Sequence, residues 1–161
     1  MEKVERVFNS PVETGVRALI ILNALYPSAL DLNDLLLFDH LVVHTSDFSG
    51  PPSLHPDIPP RSGEPLVRRR LIENGIRLMR MRHLIDIEFA RSGILYRASD
   101  DAGAMISLMR SDYAHQLVER ADWLAYRCKM AGIEDLKRQV TDRIGRWRTE
   151  FQHNPDVPRL P

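Results

Sequence analysis

Between residues 84 and 98 the chain carries two short runs rich in Ile, Leu, Phe and Tyr, 84–89 and 94–98, on either side of Arg91-Ser92-Gly93. Short apolar runs joined by a Gly-containing turn predict a β-hairpin. The flanking text has the period of helices, which narrows the choice of fold. Three helices followed by a two-stranded wing describe a winged helix-turn-helix. The pattern therefore predicts a mainly α fold: a winged helix-turn-helix core over 6–110, its β wing, and a C-terminal helical extension over 112–151.

Each helix has its own signals. Ser10-Pro11-Val12-Glu13 offers a cap, a proline suited to the first helical position, and a glutamate able to complete a capping box. Val16, Leu19, Ile20, Asn23 and Ala24 follow at helical spacing, and Pro27 ends the run. Asp31 or Asn33 can cap a second helix through "DLLLFDHLVVH", apolar over most of its circumference and so expected at the centre of the core. A third helix over 64–82 places Leu71, Ile72, Ile76 and Met79 on one face, with Gly75 allowing close approach. Arg69, Glu73, Arg77 and Arg80 lie on another. After the hairpin, Asp100 or Asp101 is expected to start a helix holding Met105, Ile106, Leu108 and Met109. Two longer helices follow, with narrow apolar seams at Tyr113, Leu117, Ala121, Leu124 and Cys128, then at Ile133, Leu136, Val140, Ile144, Trp147 and Phe151.

The break between the second and third helices is unusual. "TSDFSGPPSLHPDIPPRSG", residues 45–63, holds too many prolines and glycines for a helix or a central strand. A connection this long is either functional or a mobile surface loop. Phe48, Leu54 and Ile58 within it suggest that it packs on something.

Charge is spread unevenly. The chain has 22 basic and 22 acidic side chains over 161 residues. Residues 1–60 carry a net −5, residues 61–97 a net +5, and the remainder balances. The basic middle is either a phosphate-facing patch or a solvated face paired with the acidic N-terminal third. In a winged helix the third helix commonly enters the major groove. Arg69, Arg70, Arg77 and Arg80 on that helix, Arg91 at the wing tip and Arg97 on the second strand are the candidate nucleic-acid contacts. Against base readout stand Glu73, Asp86 and Glu88, and a joint far longer than the three or four residues usual in a helix-turn-helix. Loose, non-specific contact with the DNA backbone is favoured over sequence-specific readout.

Reaction chemistry finds little support. There is no GK[ST] phosphate loop, no GxSxG elbow and no HExxH pair. Cys128 is the single cysteine, which rules out an intramolecular disulfide and zinc-finger spacing. His40 and His44 stand four apart with Asp39 and Asp47 near, but further ligands would have to come from the loop. The expectation is a protein that is not an enzyme, with no cofactor and no metal. "MEKVERVFNS" lacks the regions of a signal peptide, and the apolar stretches fall short of the roughly 20 residues of a membrane span. A cytoplasmic protein without a membrane partner is expected.

Three stretches, "FNSPVETGVRAL", "HTSDFSGPPSLHPDIPPRSGEPLVRRRLIENGIRLM" and "ILYRASDDAGAMISLMRSDYAHQLVERADWL", together resemble the middle component of bacterial ABC-three-component systems, in its second subtype. The similarity covers roughly residues 6 to 124. It is most specific from Ser46 through Gly50-Pro51-Pro52-Ser53-Leu54-His55-Pro56 to Arg61-Ser62-Gly63-Glu64. The resemblance implies a non-enzymatic adaptor subunit of an anti-phage or anti-plasmid defence complex related to the Lamassu type. Its implied partners are an SMC- or Rad50-like ATPase and a third, effector-type component. On that reading the loop is a partner-binding segment, its prolines, Pro51 and Pro52 among them, lowering the entropy lost on docking. Phe48, Leu54 and Ile58 become anchors, and Arg61 and Glu64 pair across the interface. Equally open is a loop that His55 and Arg61 hydrogen-bond to its own domain. The rival class is a free-standing winged-helix transcription regulator, a homodimer through 112–151 that binds operator DNA.

Overall fold

The computed structural model describes the backbone over residues 10–55 and 65–152, with side chains over 10–55 and 68–145. Helix α1 (Pro11–Ala24) opens as its sequence dictates: Ser10 Oγ accepts the Glu13 N–H at 3.2 Å, and Pro11 takes the first turn. Ala18, Leu19, Ile20, Ile21 and Leu22 are all buried, so α1 is enclosed by neighbours rather than lying on a surface. Helix α2 (Leu32–Val43) is capped by Asp31, whose carboxylate accepts the Asp34 N–H at 2.8 Å. It buries Leu35, Phe38, Leu41 and Val42. Asn33, the other candidate cap, instead accepts a hydrogen bond from Arg69 at 3.0 Å.

Helix α3 (Pro65–Met81) is amphipathic, with Ile72, Ile76 and Met79 inward and Arg69, Arg70, Arg77 and Arg80 outward. It crosses α1 at a glycine pair. A Cβ on Gly75 would lie 2.5 Å from the Gly15 nitrogen, and one on Gly15 would lie 2.6 Å from the Gly75 carbonyl oxygen. The two backbones touch there, and no side chain fits between them.

The hairpin pairs β1 (Ile85–Ala90) with β2 (Gly93–Ala98) in antiparallel register, Ile85 opposite Ala98, Ile87 opposite Tyr96 and Phe89 opposite Ile94. Arg91 and Ser92 form the turn, and Gly93 takes a φ of 128° that L side chains rarely adopt. The base of the ribbon is tied to the segment between α1 and α2. Tyr96 N–H donates to the Leu30 oxygen at 2.7 Å, and Leu30 N–H donates to the Tyr96 oxygen at 2.9 Å.

Helix α4 (Ala102–Ser107) is shorter than its apolar spacing suggests, leaving Leu108 and Met109 beyond its end. Asp100 is not its cap: it lies outside the helix and accepts the Tyr26 hydroxyl at 2.8 Å. Asp101 holds the cap position without a side-chain hydrogen bond. Helices α5 (Asp112–Ala131) and α6 (Ile133–Gln152) finish the chain. The α5 seam of Leu117, Ala121, Leu124 and Cys128 joins one hydrophobic cluster with α1 and α2, as do Leu136 and Val140 of α6. Lys137 ties α6 to α2 through Asp34 at 2.8 Å. The described chain is mainly helical with a two-stranded antiparallel sheet, built around α1 and α2. The side chains of Trp147 and Phe151 lie outside the described residues.

Candidate functional site

The segment from His44 to His55 folds back on its own domain. Thr45–Phe48 makes one 3-10 turn, and Ser49 ends it in the left-handed region at φ 61°. Thr45 Oγ1 donates to the Pro51 oxygen at 2.7 Å, and the Leu54 and His55 N–H groups both donate to the Val43 oxygen at 3.1 Å. Helix α5 then clasps the loop from outside. Arg120 donates to the Pro52 oxygen at 2.8 and 3.3 Å, and Arg127 donates to the Phe48 oxygen at 2.9 Å. Carbonyls of a Pro-rich loop have few backbone N–H groups to pair with, and guanidinium forks supply the missing donors. The Arg127 guanidinium also lies 5.3 Å from the Trp123 ring centroid. Gly50 rests on that indole so closely that a Cβ would fall 2.5 Å from it.

This placement divides the loop residues singled out by sequence. Phe48 and His55 are buried in the chain's own core, Pro51 and Leu54 are half-buried, and Pro52 is exposed. Ile58, Arg61 and Glu64 lie outside the described residues.

Beneath the loop is a buried polar chain. Arg17 Nε donates to Asp39 Oδ1 at 2.7 Å and its Nη2 to Oδ2 at 3.3 Å, with both side chains almost wholly buried. Arg68 approaches the same carboxylate at 3.6 Å. Burial opposes ionisation of Asp39, yet Arg17 beside it wins and holds the carboxyl below its usual range. Burial likewise opposes the Arg17 charge, and Asp39 raises its pKa regardless. Arg17 also hydrogen-bonds Tyr113, whose hydroxyl shares a 2.7 Å hydrogen bond with His55 Nε2. Burial, reinforced by Arg17 and His44, pushes the His55 imidazole down to about 4. Burial, His44 and Arg68 push His40 down to about 3. Both rings are therefore neutral at pH 7. His40 and His44 rings sit 4.6 Å apart, but no group of three or more His, Cys, Asp or Glu among the described residues is arranged to hold a metal.

Arg17, Arg120, Arg127 and Trp123 escape a motif-based reading. Signals for Arg17 and Asp39 do exist: one opposite charge in each of two otherwise apolar helical stretches. Arg120 has a weaker one, sitting beside the Leu117-Ala121-Leu124 seam.

The arginines marked for nucleic acid separate into two groups. Arg69 is engaged by Glu73 at 3.5 Å as well as by Asn33, and Arg97 by Glu88 at 2.8 Å. Arg70, Arg77, Arg80 and Arg91 are exposed and have no ion pair or hydrogen bond among the described residues. Arg70, Asn74 and Arg77 follow at four- and three-residue steps, so they share the outward stripe of α3.

A shallow groove of about 490 Å³ lies elsewhere, between the end of α1 and α5, lined by Leu25, Tyr26, Tyr126, Cys128, Lys129 and Ile133 among others. Burial pushes the Cys128 thiol up to about 11, so it is protonated and a poor nucleophile at pH 7. Among the described residues, no helix is long and apolar enough to cross a membrane.

A helical protein carrying one hairpin, a clasped Pro-rich loop and an open basic helix face is the class these features define. The chain belongs to the family of ABC-three component (ABC-3C) system Middle Component 2, whose model matches residues 7–150. That match runs through α5 and most of α6, past residue 124 where the recognisable motifs stop. No curated protein and no solved structure matches the chain. As a middle component it is one part of a multi-component system and has partner components.

Proposed function

We propose that the protein is a non-enzymatic winged-helix adaptor of a bacterial defence complex directed against phage or plasmids. It docks on an SMC- or Rad50-like ATPase, works with a third, effector-type component, and aids non-specific DNA contact. The observation that carries this reading is membership of the middle-component family over residues 7–150. The winged-helix assignment draws support from the element order: α1, the Leu30 bridge, α2, α3, then the hairpin, with Tyr96 of β2 paired to Leu30. DNA contact draws support from Arg70, Arg77 and Arg80, which carry no countercharge among the described residues. Of the described loop residues that the sequence singles out for a partner, Pro52 and the half-buried Pro51 and Leu54 are still open to one. The Lamassu type is the system this assembly would resemble.

Co-purification with the proteins encoded on either side, followed by size-exclusion chromatography with light scattering, tests the reading. A stable complex containing a large ATPase is expected, and Arg77→Ala with Arg80→Ala should leave it assembled. A lone dimer that ignores its neighbours and grips a discrete duplex site would replace the adaptor by a free-standing transcription regulator.

A further inference from the structure

Among the described residues the outer edge of the hairpin is open, and the residues along it specify what can close it. In an antiparallel ribbon, directly opposed residues alternate between pairs that exchange both backbone hydrogen bonds and pairs that exchange none. Tyr96 spends its N–H and carbonyl on Leu30, away from β1, so the Ile87–Tyr96 pair is of the second kind. Two residues on, Phe89–Ile94 is the same. The backbone N–H and C=O groups of Ile87 and Phe89 therefore point outward from β1, and no backbone hydrogen bond to them exists among the described residues outside the ribbon.

Side chains make the edge lopsided. Ile85, Ile87 and Phe89 share one face with Ala98, Tyr96 and Ile94. That face is buried at its base, where Ile85 is 2% exposed, and runs out beyond the domain until Phe89 is 85% and Ile94 47% exposed. Asp86 and Glu88 stand on the opposite face of β1. Phe89 is the most exposed large apolar side chain described, and it lies beside unpaired backbone donors and acceptors. This combination is a template for an added strand.

A second copy of the chain fits the template badly. Antiparallel pairing of two β1 edges about Ile87 sets Asp86 of each directly across from Glu88 of the other, gathering four carboxylates on one face against two Arg97 side chains, each already paired to its own Glu88. Like charges directly opposed across strands are destabilising. A strand with apolar residues facing Ile87 and Phe89, and Lys or Arg facing Asp86 and Glu88, meets both demands.

We infer that the β1 edge is a docking site for an extended segment of a partner protein in which apolar and basic residues alternate, added as a third full strand. The inference rests on the adaptor reading and names a surface and a partner chemistry for it. The free edge keeps its acids as a guard against self-association, and the partner's basic residues convert that guard into a recognition element.

A fluorescein-labelled heptapeptide of alternating Val and Lys, with alternating Val and Glu as control, tests this on the full chain. Binding is followed by anisotropy and by amide hydrogen exchange. The Val–Lys peptide should bind at least tenfold tighter than Val–Glu and slow exchange at the Ile87 and Phe89 amides. Phe89→Pro removes an outward N–H and no ribbon hydrogen bond, so it should keep the fold and lose at least tenfold in binding. Asp86→Lys should shift the preference towards the Val–Glu peptide. Equal binding of both peptides, or unprotected Ile87 and Phe89 amides, overturns the inference. So does protection of those amides before any peptide is added, which would give the edge to a second copy or to the chain's own terminus. Protection by a DNA duplex in place of the peptide would make the ribbon a nucleic-acid surface and overturn it too. The adaptor reading fails separately, if the unaltered chain forms no complex with its neighbours. A neighbour complex that Phe89→Pro leaves intact sinks the edge alone.

Discussion

At the scale of single residues, the strictest requirements are the places with no spare room. Gly75 and Gly15 meet backbone to backbone, so Gly75→Ala forces α1 and α3 apart where Ile72, Ile76 and Leu19 pack. Overpacking of this kind costs about 1–3 kcal/mol, and backbone partners give way less readily than side-chain tips. Urea unfolding of Gly75→Ala should show a destabilisation of about 3 kcal/mol, the upper end of that range. Gly145→Ala is the control: among the described residues nothing lies within 4 Å of its Cβ position, and exchanging Gly for Ala in an exposed helix should stabilise by about 0.5–1 kcal/mol. Arg17 and Asp39 obey a different logic. Asp39→Asn leaves a buried guanidinium without its countercharge, and breaking such a pair costs about 3–5 kcal/mol. The double replacement Arg17→Met with Asp39→Leu should recover most of that stability, and a double-mutant cycle in urea reads the difference. Full recovery is not needed; a double variant as damaged as Asp39→Asn would refute the account.

Among the elements, the loop and α5 behave as one unit. The stability of the fold around them depends on pH through the two depressed histidines, His55 in the loop and His40 on α2. Each is neutral in the fold down to about 3 or 4 but protonates near 6.5 in the unfolded chain. Between those values the unfolded state binds more protons, so their contribution is complete above about pH 6.5 and is lost as pH falls towards 4. The slope reaches roughly 1.4 kcal/mol per pH unit for each ring. Asp39, with its pKa lowered, loses its own contribution only at more acidic pH. Chemical denaturation from pH 7 to pH 4 should show this fall, and His55→Gln should flatten it. A flat profile in the unaltered protein would contradict the burial of these rings. The clasp has a second test: Gly50→Ala pushes a methyl into the Trp123 indole. It should red-shift tryptophan emission and speed amide exchange over residues 45–55, while the α1–α3 crossing stays protected.

For the whole molecule, neutrality hides an uneven layout of charge. Arginines without countercharge among the described residues gather on the outer stripe of α3 and at the ribbon turn, while the acids of α2 are engaged by Arg17, Arg68 and Lys137. Any binding to duplex DNA should therefore be salt-dependent. Replacing Arg70, Arg77 and Arg80 by Ala should lower the slope of log K against log salt by about 0.9 for each phosphate that is no longer neutralised. Arg69→Ala and Arg97→Ala, whose charges are already partnered, should change it much less.

The sequence by itself determined the elements. Ser10 and Asp31 capped helices because short polar side chains reach free N–H groups within three residues, an interaction settled locally. The hairpin, the apolar seams and the glycine at the α1–α3 crossing were legible for the same reason: periodicity and steric freedom are properties of the chain itself. The family was legible too, because the loop text is long and specific. What only the tertiary structure decided is how distant side chains divide their partners. Phe48 and His55 turned inward because α5, more than 50 residues away, brings Tyr113, Arg120, Trp123 and Arg127 over the loop. Arg69 and Arg97 are held while Arg70 and Arg77 stay open, for which the placement of Asn33, Glu73 and Glu88 is responsible. Caps and periods are short-range facts carried by neighbours in sequence. Burial, ion pairing and an open strand edge are long-range facts, and they exist only once the chain has closed on itself.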